Sequence, residues 1–196
     1  MWFENVGAFI DYGFLHIIPE GPDHILFVIA LYLNARNWGA LFLQVTAFTL
    51  AHTLTLALAA TGVISVAPEL VEPLIAISIV VLAIEAIAFP DAHRLWRIPV
   101  IAAFGLLHGL GFGTVMSPAV LSADTSAALV GITLGVELGH LAVLVATGFV
   151  AVMVLIALRT ARRPGLYRPA FVIPVAAIIA AVGAFWTLQR TGLIAI

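Results

Sequence analysis

The sequence predicts an all-α fold: a polytopic membrane helical bundle of about six transmembrane helices, with an N-terminal interfacial or re-entrant helix. Three observations carry that expectation. The 196 residues are 63% hydrophobic and only 9% charged, whereas soluble domains run near ~25% charged. Mean hydropathy is +1.19. Apolar runs recur along the whole chain, separated by short polar or proline-bearing connections. Water-soluble globules, disordered chains and nucleic-acid binders are excluded by this composition. There is no cysteine, so neither a disulfide frame nor a thiolate metal site is available. The net charge is −2, and every basic residue other than histidine is arginine.

Residues 1–21 carry Glu4, Asp11, His16 and Glu20 among aromatics, too polar for an ordinary span; they are read as the interfacial or re-entrant segment. Spans are expected at about 22–35, 39–64, 69–89, 98–116, 125–158 and 169–189, all in one integral membrane domain, 1–196. The first is short. At ~1.5 Å per residue it covers only about 20 Å, so its Gly21-Pro22-Asp23-His24 start is expected below the membrane surface. The fifth is longer than a bilayer needs. Seven of the eight arginines (Arg36, Arg94, Arg97, Arg159, Arg162, Arg163 and Arg168) fall in loops 1–2, 3–4 and 5–6, and Arg190 lies at the other side. The positive-inside rule makes those loops cytoplasmic and both termini external, in a bacterial-type cytoplasmic (inner) membrane.

Residues 47–56 (AFTLAHTLTL) are echoed by 103–112 (AFGLLHGLGF), with His52 and His108 aligned. Two readings stand: coincidence in an Ala/Leu-rich chain, or parallel repeats around a shared site.

The rare polar residues within the apolar runs are the candidate site. Asp23 and His24 open the first span, and His16 precedes them. Asp23 also suits a helix start, where the dipole favours a carboxylate. His52 has Thr49 and Thr55 on its helix face, and His108 lies among glycines. Glu137 and His140 share a face at i, i+3, an arrangement used by metal-binding bundles; a plain hydrogen-bonded pair is the structural alternative. Gly131, Gly135 and Gly139 read as a packing ridge. Glu72, Glu85, Thr49 and Thr55 are candidate pathway residues. For Glu72 a helix-start role competes, and for Glu85, which shares a face with Ser78, pairing with Arg94 or Arg97 is favoured. His93 is expected to be solvated in its basic loop. Each intramembrane charge costs at least ~2.5 kcal/mol, so several at one depth argue for a shared purpose. Imidazole and carboxylate without thiolate suit nickel, cobalt or zinc. Metal ligands are therefore expected among His16, Asp23, His24, His52, His108, Glu137 and His140. Asp23, His24 and His16 would form an outer collecting station, and the others a midplane site.

At these residues the sequence resembles the HupE/UreJ family of small membrane proteins, associated with nickel and cobalt uptake and with hydrogenase and urease maturation. The likeness runs over about residues 12–145. It rests on five ordered blocks: His16 with Gly21-Pro22-Asp23-His24-Ile-Leu-Phe, residues 46–56 around His52, residues 71–78 from Val71-Glu72 to Ser78, residues 104–112 around His108, and Gly135-Val-Glu137-Leu-Gly-His140. The resemblance implies that His16, Asp23 and His24 correspond to a His-x-Asp-His signature for metal handling. Here six residues separate His16 from Asp23, one more than in the family's common form, and His140 stands where glutamine is expected. The blocks as a whole look closer to the family's second branch.

Three functions follow as expectations. The first is a secondary permease for a divalent transition-metal cation, with no organic cofactor and no ATP-binding loop. The second is an intramembrane zinc hydrolase acting on a lipid amide or ester. The third is a non-transporting metal-binding or assembly protein. Expected partners are the lipid bilayer and the metal ion, with no nucleic acid; a homo-oligomer and metalloenzyme-maturation partners stay open.

Overall fold

The structure is a computed structural model, described here for residues 2–35, 37–89, 97–113 and 125–194. Arg36, His93 and Arg94 lie outside the described residues, as does the end of the fourth expected span. The described residues form helices with no strand. In chain order these are α1 (Trp2–Ile17), α2 (Pro22–Asn34), α3 (Trp38–Ala60), α4 (Pro68–Ala88), α5 (Arg97–Gly113), α6 (Thr125–Thr160) and α7 (Ile173–Arg190). A 3-10 turn (Pro164–Leu166) and a π-helical stretch (Arg168–Val172) lead into α7.

Local sequence explains the boundaries. Pro22 and Pro68 occupy first-turn positions, where a missing N–H costs nothing. The Asn37 side chain accepts from the Ala40 amide and starts α3. Gly62, at φ 74°, ends it four residues before the expected limit. Among the described residues, four helices are long and apolar enough to cross a membrane; α1 and α2, bent by 74°, make a fifth if counted as one broken span. At 13 residues, α2 is shorter than the ~20 residues a full span requires, and α5 is described only over Arg97–Gly113. α2 needs no lipid-matched length, because Phe27, Val28, Ala30 and Leu31 on it are fully buried by protein. α6, at 36 residues, reaches about 54 Å at ~1.5 Å per residue and overshoots any bilayer.

Three helix pairs surround α2. α5 lies along α3 because Gly105 and Gly109 carry no side chain: a Cβ on Gly109 would run into the His52 carbonyl and the Thr55 hydroxyl. The register Gly105 to Phe48 and Gly109 to His52 shows that the two helices run parallel, so the echoed segments sit side by side with their histidines level. α1 lies parallel to α6 along the Gly131–Gly135–Gly139 ridge, which meets Val6, Ile10 and Ile17 in turn. The small-residue ridge thus packs helices, and the N-terminal segment is a packed helix leading into a re-entrant or broken-span bend. α7 runs antiparallel to α4: Arg190 donates to the Glu72 carbonyl at one end, and Arg168 to the Ala86 and Ile87 carbonyls at the other.

Candidate metal centre

Five helices each contribute one histidine to the interior. His16 closes α1, His24 lies in the first turns of α2, His52 is in α3, His108 in α5 and His140 in α6. All are buried. His24 is the hub. Its ring centroid lies 4.9 Å from His16, 5.0 Å from His52, 5.0 Å from His108 and 5.7 Å from His140. Phe48 walls the cluster, 5.1 Å from His108 and 5.5 Å from His140. A ligand atom from each of His16, His24 and His52 lies within 4.8 Å of the others. Nitrogens about 2.1 Å from one ion are at most about 4.2 Å apart, so small ring rotations bring this trio into coordinating range.

The nitrogens are notable for what they lack. His24 Nε2, both ring nitrogens of His52, His108 Nδ1 and His140 Nε2 are buried without a hydrogen-bond partner. Each such group costs about 1–3 kcal/mol when left unmade. A bound cation offers the lone pairs a partner.

Two hydroxyls orient the outer rings. The Ser78 hydroxyl donates to the Ile75 carbonyl at 2.7 Å and lies 3.1 Å from His108 Nε2. Its one proton is thereby used, so it accepts from Nε2–H, and the His108 lone pair is on Nδ1, the atom with no partner. Thr49 Oγ1 lies 3.0 Å from His140 Nδ1, holding that ring by one edge and leaving Nε2 for a ligand. Such outer partners typically carry 10–100-fold in metal affinity. Ser78→Ala is therefore expected to weaken nickel binding about tenfold with the fold intact, read by equilibrium dialysis beside circular dichroism; unchanged affinity would remove Ser78 from the site.

The two-station expectation changes in one respect: His16 and His24 are not above His52, His108 and His140 but in contact with them or between them. The carboxylates are arranged differently. Glu137 accepts from Thr46 Oγ1 at 2.8 Å, and its other oxygen is buried without a partner. Asp23 forms a two-pronged pair with Arg190 Nη2, at 2.9 and 3.1 Å. Asp23 and Arg190 line a cavity of about 220 Å³ whose floor is His16, His24 and His108 and whose rim includes Glu20 and Glu72. Glu85 is bound to Arg97 at 3.2 Å at the far end of the bundle. Thr55 donates to the Leu106 carbonyl at 2.8 Å and ties α3 to α5.

The family model described as HupE / UreJ protein matches residues 1–190. The chain belongs to the HupE/UreJ family. No curated protein and no solved structure matches it significantly. In this HupE/UreJ protein, sequence reasoning had not placed Ser78, Arg190 or Phe48 at the site. Ser78 lies in one of the recognised blocks and Phe48 in the repeated Ala-Phe pattern. Arg190 was legible only as a topological marker.

Proposed function

We propose that this HupE/UreJ protein is a secondary permease for a divalent transition-metal cation, with nickel or cobalt favoured and zinc permitted. The observation that carries the reading is the all-imidazole cluster with unsatisfied nitrogens inside a helical bundle of membrane-spanning character. Neutral nitrogen donors suit late first-row divalent metals and are poor ligands for magnesium or calcium. The family's association with nickel and cobalt uptake agrees with this. The cation enters by the cavity at Asp23 and Arg190, occupies the cluster, and leaves toward the end bearing Glu85 and Arg97. Inward movement is favoured by the membrane potential, ~2.3 kcal/mol per charge per 100 mV.

A zinc hydrolase would need a carboxylate base beside the metal. The grouped ligand set among the described residues is histidine alone, which favours the permease. The test is nickel, cobalt and zinc entry into proteoliposomes: wild-type protein is expected to carry at least one, and carriage of none would overturn the reading.

The entry cavity is assigned to the external face by the arginine bias of the opposite loops. The chain has no cysteine, so single cysteines report topology directly. Thr191→Cys is expected to react with an impermeant thiol reagent from outside intact cells, and Arg163→Cys is not. The reverse pattern would invert the assignment.

A further inference from the structure

We propose that Arg190 is a tethered counter-cation that holds Asp23 closed to the metal, so that ion entry proceeds by exchange of guanidinium for metal at the Asp23 carboxylate. The inference rests on the permease reading and adds to it a residue that controls access.

The geometry is that of an occupied ligand. Arg190 Nη2 contacts both Asp23 oxygens, and Nη1 donates to the Glu72 carbonyl at 3.1 Å. The guanidinium carbon lies 5.3 Å from the Trp186 ring centroid, a cation–π arrangement. α7 ends at Arg190, where a cation complements the helix dipole. Four features thus hold the charge in one place, in the wall of the cavity whose floor is His16, His24 and His108. Asp23 precedes His24, the hub of the cluster.

The electrostatics call for an exchange. A dication among neutral imidazoles in a low-dielectric interior requires a nearby negative charge. Asp23 is the carboxylate placed beside the hub, and its charge is already matched by Arg190. While that pair is closed, the guanidinium also repels an incoming cation. When the metal takes Asp23, Arg190 can turn toward the exposed Glu72 carboxylate or Glu20 at the rim. The side chains of the pair are 19% and 21% exposed, so the bond is not sealed and can exchange.

The test is equilibrium Ni(II) binding to detergent-purified full-length protein, for wild type, Arg190→Gln, Arg190→Lys, Asp23→Asn and the double variant Asp23→Asn/Arg190→Gln. Arg190→Gln is expected to bind up to about fivefold more tightly, the scale of one partly exposed ion pair. Arg190→Lys, which keeps the charge and loses the fork, should fall between it and wild type. In the Asp23→Asn background the gain should vanish. An unchanged affinity in Arg190→Gln, with wild type binding nickel, would overturn the exchange and leave the permease reading standing. A gain that persists without Asp23 would also overturn it, since simple repulsion would then suffice. No nickel, cobalt or zinc bound by wild type would remove both.

Discussion

His24→Ala is expected to weaken nickel binding by at least about 100-fold and to abolish measurable metal entry into proteoliposomes. No other substitution should do as much. The His24 ring lies within 5.7 Å of the four other histidines of the cluster, and its Nε2 has no protein partner to lose. Removing it takes a ligand from the preorganised trio and parts His16 and His52 from His108 and His140. The loss should therefore exceed the 10–100-fold typical of an orienting partner. Truncation also opens a cavity next to Phe48, whose ring lies 5.9 Å away, so His24→Gln serves as the bulkier control. Its unfolding midpoint should stay near wild type, while binding is still lost. Wild-type affinity in either folded variant would place the metal elsewhere.

Arg97→Met is expected to cost about 3 kcal/mol of stability and to leave metal binding almost unchanged. The Arg97 and Glu85 side chains are 8% and 17% exposed, and removing one member of a buried pair costs ~3–5 kcal/mol. The low end applies because Glu85 keeps some solvent. Arg97 also donates to the Asn34 carbonyl at 3.3 Å, and Asn34 donates to the Leu82 carbonyl at 2.9 Å. The residue therefore pins the ends of α2, α4 and α5 together. Glu85→Leu/Arg97→Met, which removes both charges, should recover most of the loss. Unfolding in mixed micelles measures all three proteins. Equal stability of Arg97→Met and wild type would show that the pair is a surface feature.

The helices were largely legible in the sequence, because apolar runs and prolines act locally. Pro22, Pro68 and the Asn37 cap mark starts that the chain displays openly. What covers each helix was not legible: neighbouring helices, and not lipid, bury Phe27 and Leu31 on the short α2. The five histidines of the cluster stood out as rare letters. Their convergence did not, because it depends on the 74° bend between α1 and α2 and on parallel packing through Gly109 and Gly135. Glu137 shows the limit of helical spacing. Its i, i+3 relation to His140 is real, yet Thr46 on α3 takes one of its oxygens. Arg190 and Asp23 are 167 positions apart, and only the fold brings them together.

The central claim is that the imidazole cluster is where the cation binds. Nickel K-edge X-ray absorption of the loaded protein tests it most directly. The account predicts a shell of nitrogen and oxygen donors with outer-ring scattering from at least three imidazoles, reduced in His24→Gln. A shell of oxygen donors without imidazole scattering in the wild-type protein would contradict it.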